Sequence, residues 1–565
     1  MHFQFENFFN ENEILKVLCH IRAKMAKKRH DIHFLDNISN DNRLQYKDDI
    51  YNYFPPRRSW VRLSKIDRKS GLKSSLEINE QQLLYTIKKY KRKYANKPDR
   101  KPNWLIELDN LLTKIRFTAL KDETYEFEKP KIIATPKDKA KTQFRPIAKY
   151  AFIDQIIIKQ LSKYLIYQFD LFFSDQSFAF RKNKLHKKRL KKFDHHEAFL
   201  EIIEYWKSNN QESLYVAESD LEKFYDTINH SIIINKFNEF SKEHKIDISD
   251  RATNLFLNYL KSYTFNKFVL DKSQNPHDDN IVFPWPKKQL QAYYKDINNE
   301  NIGVPQGGAI SVFIANLVLD YADKAISKYN KIFPVFYARF CDDIIILHRW
   351  KWRTNFALSI YNRSIKKLKL VFHKPLSLSI YNKDFWDIKS KLPYKWGNTL
   401  KKGFPWLSFV GYQLHYSGII RIRRKSFIKE RDKIIEETNK VLKHIKRKKN
   451  SIKISGHAII FRLRQKLISM SVGRINILSK ENSNNFSWAD GFKILKVSGL
   501  RKQTLQLKFL DKARNKSIAI VKKKLSHLNK GKSKSSLEIN YNDYYGKPFS
   551  YFGQFENSET ADNSD

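Results

Sequence analysis

Two adjacent carboxylates, Asp342 and Asp343, stand between the strand-forming runs Phe336-Tyr337-Ala338-Arg339-Phe340-Cys341 and Ile344-Ile345-Ile346-Leu347. Strand interiors exclude Asp because a buried, unpaired charge is costly, and two in series repel. A tight hairpin that presents both carboxylates to a strongly cationic group resolves the conflict. A divalent ion fits, since hard cations prefer oxygen ligands. A polar turn is the alternative, because Asp is a common turn residue. A third carboxylate, Asp220, ends the run Leu214-Tyr215-Val216-Ala217-Glu218-Ser219. Taken alone it serves equally well as a helix N-cap. The loop Gly303-Val304-Pro305-Gln306-Gly307-Gly308 lets backbone approach a ligand closely. It lacks the Gly-Lys-Ser/Thr ending of a P-loop. Its Gln306 can hydrogen-bond a base or sugar edge. Three carboxylates on two strands can hold two Mg²⁺ ions a few Å apart, with Mn²⁺ as a substitute. That chemistry is phosphoryl transfer, which needs positioning and charge neutralisation rather than a covalent nucleophile.

The surrounding elements have to position these groups. Lys131 to Lys137 and Phe144 to Ile147 read as a two-stranded basic ribbon whose Lys137 and Arg145 can reach a triphosphate. Ile153 to Tyr167 is an apolar helix, Ser177 to Arg181 a short strand or turn, and His186 to Lys192 a basic loop. Ile228 to Phe237 is helical, and residues 238–300 read as a long connection ending in an insertion with little regular structure. Helices are expected at Val312 to Ala325 and Phe356 to Leu370, then a β-hairpin from Trp406 to Leu414 and Gly418 to Arg423. Basic helical patterns follow at 427–449, 457–470 and 507–525 and suggest a clamp on a duplex. Near the N-terminus, 11–28 and 81–94 read as helices. The heptapeptide Lys73 to Asn79 recurs at Lys534 to Asn540 with no wider repeat and reads as coincidence.

Four regions emerge: a basic, mostly helical extension over 1–125, a central domain over 126–425 with an insertion at about 264–300, a basic helical domain over 426–525, and a polar tail over 526–565. The chain carries 107 Lys and Arg against 59 Asp and Glu, a net charge of +48. Such a chain repels itself unless it meets a polyanion, and the spread of the bases favours a long nucleic-acid track over a membrane surface. Hydrophobic residues make up 41% of the 565, enough for real cores, which excludes a disordered composition. Two cysteines, Cys19 and Cys341, exclude a disulfide framework and a Cys-based zinc site and make the cytoplasm the expected compartment. No apolar run is long enough for a bilayer, and Met1 to Glu6 do not resemble a signal peptide.

The order of these pieces resembles the fingers and palm of reverse transcriptases. Phe144-Arg145-Pro146-Ile147 and Ser177 to Arg181 resemble the two fingers motifs, Asp220 to Asp226 motif A, and Gly303 to Gly307 motif B. Phe340-Cys341-Asp342-Asp343 resembles the Tyr-x-Asp-Asp box of motif C, and Ser408-Phe409-Val410-Gly411-Tyr412 the primer grip of motif E. The resemblance covers about residues 130–425. It implies an α+β, right-hand polymerase fold, with fingers and palm on an antiparallel sheet and an α-helical thumb or C-terminal region. Arg339, just before the box, is similar to the bacterial group of group II intron, retron and abortive-infection enzymes.

By position the resemblance implies Asp220, Asp342 and Asp343 as catalytic metal ligands, joined by the Leu221 carbonyl. Tyr225 would be the gate against a ribose 2′-hydroxyl. Lys137, Arg145 and Gln306 would meet the incoming dNTP. Arg181, Phe340, Cys341, Phe409, Gly411 and Tyr412 would meet primer and template. Phe340 and Cys341 replace the usual Tyr and small residue of the box. The basic residue expected near Leu376 is absent, the nearest being Lys374, so the general acid is unassigned. The implied activity is an RNA-directed DNA polymerase that uses an RNA template, a DNA primer or product, and dNTPs. The layout, without a Cys-rich endonuclease, is similar to abortive-infection and antiphage reverse transcriptases, which work with a non-coding RNA and with a second protein or further copies of themselves. The alternatives are template-independent or protein-primed synthesis (Tyr544 and Tyr545 do not decide it), a group II intron-type maturase, and a non-catalytic nucleic-acid-binding protein.

Overall fold

The structure, a computed structural model, describes residues 4–39, 49–64, 75–137, 140, 142–182, 184–186, 189–191, 193–270, 281–377, 383–447, 454–472, 488–495, 499–502 and 505–528. Most of the expected tail lies outside them, with Tyr544, Tyr545 and the 534–540 heptapeptide, as do positions 187, 188 and 192 of the basic loop and 271–280 of the insertion. The architecture is α+β, in two compact units: residues 1–14 with 112–410, and residues 15–111 with 411–565. The expected N-terminal extension and C-terminal helical region therefore fall largely into one unit instead of two.

The first unit carries a two-stranded ribbon, β1 (Lys131–Pro136) and β2 (Phe144–Lys149), paired antiparallel with Thr135 opposite Arg145. It also carries β3 (Leu214–Ser219), β4 (Phe336–Phe340), β5 (Asp343–His348) and β6 (Lys391–Trp396). These form one antiparallel sheet in the order β4-β5-β3-β6. β5 is central, and Ile344, Ile345, Ile346 and Leu347 are all buried. That is why its sequence is a continuous apolar run with no alternation. Helix Lys351–Lys367 packs against β3, β5 and β6, and helix His195–Ser208 against β4. Asp194 caps the latter by accepting from the amides of His196 and Glu197. Helix Ser311–Asn330 lies beside helices Lys351–Lys367 and His230–Glu243.

One expectation fails here. Residues 238–300 are not one long connection: helix His230–Glu243 continues into them, and Asp250–Lys261 is a helix. Its buried Ala252, Leu255, Phe256, Tyr259 and Leu260 follow the spacing of one helical face. The described part of the insertion also packs, with Leu290, Tyr294 and Ile297 in a core with Ile302 and Val371. Its apolar residues are spaced among Asn, Asp and Lys, so no periodicity announces them. Of the two forms read for Ser177 to Arg181, the turn is the one present, with Phe180 at φ +59° and Ser177 in an isolated bridge to Arg339.

In the second unit, Tyr412–His415 and Ile419–Ile422 form the expected hairpin, and Arg501–Lys502 adds in parallel. The basic helices Arg424–Lys446, Gly456–Val472 and Leu505–Leu528 pack on one another. Helix Ser75–Lys93 buries Leu83 and Ile87. Among the described residues no helix is long and apolar enough to cross a membrane.

Candidate active site

The β4–β5 hairpin turns on two residues. Phe340 pairs with Asp343, leaving Cys341 and Asp342 at the tip. Cys341 adopts φ +60°, a left-handed conformation that a tight hairpin demands. Asp343 is the first residue of β5 and is exposed. Because Ser219 pairs with Ile344, the end of β3 lies beside the start of β5. Asp220, the next residue, is thereby delivered to the hairpin tip. Burial first, and repulsion from Asp220 second, hold the Asp342 carboxyl above its ordinary value. Two carboxylates that repel across adjacent strands form a donor set suited to a divalent cation.

Asp220 is braced by its neighbours. Its amide donates to Ser390 Oγ at 3.0 Å, and its carbonyl accepts from the His373 amide at 3.0 Å. Lys389 Nζ lies 2.7 Å from Asp220 Oδ2, and His373 Nε2 lies 3.8 Å from the same oxygen. An ammonium thus sits where the carboxylate would meet a metal. Among the described residues no group of three His, Cys, Asp or Glu side chains is gathered closely enough to form a ready metal cage.

After Asp220 the chain bends. Lys223 takes φ +54° and the short helix Phe224–Thr227 follows. The Tyr225 hydroxyl lies 3.4 Å from Cys341 Sγ. Burial and the Cys341 thiol push the phenol above its ordinary value, and burial pushes the Cys341 thiol up to about 12. Both groups are therefore neutral near pH 7. The glycine-rich loop is stitched to this bend, with Val304 N donating to Tyr225 O at 2.7 Å and Gly303 N to Ile228 O at 2.7 Å. Gly303 has φ +95°, and a Cβ there would stand 2.4 Å from Phe265 Cβ. Only glycine fits that approach.

Asp226 is a site residue that motif reading missed. It is almost wholly buried, and Gln306 Nε2 donates to its Oδ1 at 2.6 Å. Trp285 Nε1 donates to its carbonyl at 2.9 Å. Burial holds its carboxyl up at about 6, against the downward pull of Gln306, Lys223, Arg145 and Lys137. Burial and Lys137 together hold the Lys223 ammonium below its ordinary value, with Arg145 and Lys389 adding to the effect. The structure therefore brings together a cation cluster of Lys137, Arg145, Lys223 and Lys389 beside Asp220 and Asp226. Two of its members, Lys223 and Lys389, carried no sequence signal beyond being basic.

Residues 135–375 match the family model described as reverse transcriptase (RNA-dependent DNA polymerase). They form a reverse transcriptase domain. Such a domain is that of a nucleotidyltransferase, an RNA-directed DNA polymerase, and the α+β sheet with its helices is the polymerase fold expected of it. No curated protein sequence matches the chain. Among solved structures it is similar to a Candida albicans telomerase in complex with a fragment of telomeric RNA, at 10% identity and TM-score 0.33, over 74% of this chain and 64% of that one. It is similar to an apo telomerase from Candida tropicalis at 11% identity and TM-score 0.32, over 92% and 86%. A C-terminally truncated telomerase from the same species gives 12% identity and TM-score 0.29, over 52% and 55%. The chain spans less than two thirds of the first and the truncated telomerase, 64% and 55% of their lengths.

Within and beyond the reverse transcriptase domain, the remaining expected contacts divide. Lys137 and Arg145 are exposed on the β1–β2 ribbon and free to meet a ligand. Gln306 faces Asp226, and its amide is held there. Phe340 is half-buried, 6.4 Å from the His195 ring. Arg181 departs from its expected role at primer and template. Its guanidinium is buried, pairs with Asp170 at 2.8 Å, and donates to the carbonyls of Asp170, Phe173, Ser174 and Ser177. A side chain so used braces the turn it sits on. Phe409 is buried in the first unit. In the second unit, Gly411 has φ +88° with Trp488 against it, and the buried Tyr412 packs edge-on against Trp488 at 5.1 Å. Phe409 and Tyr412 are core residues, each of its own unit.

Arg339 also has a physical role. It is wholly buried and forks onto Asp323, with Nη2–Oδ2 at 2.6 Å and Nε–Oδ1 at 2.9 Å. Its Nη1 donates to the carbonyl of Cys341 at 3.0 Å, and the Tyr337 hydroxyl donates to Asp323 at 2.6 Å. Its backbone bonds to Gln176 O and Phe178 N. Asp323 and Asn316 interrupt the apolar face of helix Ser311–Asn330 at seven-residue spacing, a signal that pointed to a buried polar partner.

Proposed function

We propose that the chain extends a nucleic-acid primer with deoxynucleotides on an RNA template, with Asp220, Asp342 and Asp343 as the carboxylates of the reaction. The observation that carries this is the convergence of Asp220 and Asp342 at the ends of β3 and β5, with the Asp342 carboxyl raised in part by Asp220. The three carboxylates and the Leu221 carbonyl are the oxygen donors that would hold two divalent ions. Bound there, they would neutralise the triphosphate and favour the 3′-alkoxide. Lys137, Arg145 and Lys223 supply the positive surface that holds the triphosphate in line. The neutral Tyr225 ring beside Cys341 stands as the wall against a 2′-hydroxyl. Asp226 and Gln306 lock the glycine-rich loop under the nascent pair.

The test is deoxynucleotide incorporation by the full chain on a primed RNA template in Mg²⁺ or Mn²⁺. Asp342→Ala with Asp343→Ala should abolish it with the melting temperature kept. Full activity in that variant ends the proposal. In the same assay Tyr225→Ala should admit ribonucleotides. We further infer a role in bacterial antiphage defence with a dedicated non-coding RNA, supported by a polymerase domain flanked by basic regions. Sequencing the nucleic acid that co-purifies with the protein tests that role; a random population would count against it.

A further inference from the structure

We propose that the first unit carries a second nucleic-acid site, a stacking platform for single-stranded RNA at the end of β5 opposite Asp343. β5 runs from Asp343 to His348. The platform is therefore separated from the catalytic carboxylates by roughly 17 Å of strand, at ~3.4 Å per residue. The rings of Trp350 and Trp352 lie 6.2 Å apart and nearly parallel, at 16°. They are 52% and 53% exposed, far more than side chains that size need be. The Arg353 guanidinium sits 4.4 Å from the Trp350 ring centroid and 5.2 Å from that of Trp352. Phe333 borders Trp352 edge-on at 5.8 Å.

The charges point to a polyanion. Among the described residues no carboxylate pairs with Lys351 or Arg353, and the buried Arg353 Nε has no hydrogen-bond partner. Glu212 reaches the rim only at Arg349, 3.6 Å away on an exposed pair. A groove of about 810 Å³ opens beside the two tryptophans, and Asn355 and Ser377 line it. Arg353 Nη1 does meet His348 Nε2 at 3.4 Å, but no carboxylate neutralises it, and flat aromatic faces beside such cations are what successive bases and phosphates require. Neutral donor–acceptor side chains in the groove suit base edges and the ribose 2′-hydroxyl, which commits the site to RNA. An acidic protein segment would satisfy the cations but leave the exposed surface of the two rings uncovered.

The experiment uses the full chain with an excess of unlabelled duplex to occupy its other basic surfaces. A short fluorescent single-stranded RNA is then titrated in and its anisotropy read. Trp350→Ala with Trp352→Ala should weaken binding by about tenfold or more, from the loss of two stacking faces. Trp350→Phe with Trp352→Phe should keep most of it. Arg353→Ala should weaken binding and flatten its salt dependence by about one counterion. Melting curves establish that each variant is folded. Equal affinity of the Ala double variant and the wild type overturns the site. So does DNA of the same sequence binding as tightly as the RNA, or poly-glutamate displacing the RNA as effectively as unlabelled RNA does. No synthesis is read, so the outcome is independent of the polymerase proposal.

Discussion

Replacing Arg339 with Met should unfold the β4–β5 hairpin from within. Arg339 and Asp323 are both fully buried and joined by a fork at 2.6 and 2.9 Å. Removing the cation leaves a carboxylate in the core with the Tyr337 hydroxyl as its remaining strong donor. Breaking one side of such a pair costs about 3–5 kcal/mol. At roughly 2 °C per kcal/mol for a unit this large, its melting temperature should fall by about 6–10 °C. Asp323→Leu should cost a similar amount, since it strands the guanidinium. The double variant, Arg339→Met with Asp323→Leu, removes both charges together. Its remaining cost is an orphaned Tyr337 hydroxyl and an unpaired Cys341 carbonyl, about 1–3 kcal/mol. It should therefore be more stable than either single variant. Incorporation should stay low in it, because the Cys341 carbonyl at the hairpin tip has lost its donor. Urea denaturation of the four proteins, with the two units' transitions resolved, measures this cycle. A double variant whose loss equals the sum of the two singles would refute the reasoning.

Three further outcomes are expected. Asp226, held at about 6 against an ordinary 3.8, binds its proton more tightly in the folded state. Its contribution is full below about pH 4 and is lost as pH rises through 6. Asp226→Asn should therefore gain about 3 kcal/mol on the wild type between pH 4 and pH 7, from about two pKa units at about 1.4 kcal/mol each; a pH-independent difference in denaturation midpoints would contradict it. Gly303→Ala should cost at least about 2 kcal/mol, because its Cβ would meet Phe265 at 2.4 Å. Gly307→Ala, at φ +78° with nothing within 4 Å, should cost about half as much; equal losses in chemical denaturation would dismiss the steric account. Lys389→Met should tighten Mn²⁺ binding about two- to fivefold by paramagnetic resonance, since a half-exposed ion pair at 2.7 Å no longer competes for Asp220. Weaker binding would assign Lys389 a supporting role instead.

The turn at Asp342 was legible because Asp is out of place in an apolar strand, and its neighbours left little choice but a hairpin. Gly303 was legible for a related reason, as a residue with no side chain in a loop that had to approach something. The cations were not. Lys389 meets Asp220 across 169 positions of sequence, and nothing local separates it from the many other lysines. Arg181 misled because a basic residue looks the same whether it faces phosphate or a carboxylate eleven residues earlier. Helix Asp250–Lys261 had the periodicity to be found, but the Asn and Pro of the following insertion extended the loop reading backward over it. The packing of Leu290, Tyr294 and Ile297 depends on Val371, a partner that no window of sequence contains.

The sheet that carries the carboxylates has two outer strands, and each is covered in part by other backbone. On β4, the Arg339 amide donates to Gln176 O and its carbonyl accepts from Phe178 N, each at 2.8 Å. On β6, Leu392 N donates to Leu376 O at 3.0 Å, and Phe404 covers the far end through Gly397 N at 2.9 Å and Lys395 O at 2.7 Å. Open edges invite a neighbouring chain to add a strand. A strand added at either edge of this sheet would have to displace those bonds. Growth of this sheet would therefore compete with the register that aligns Asp220 with Asp342.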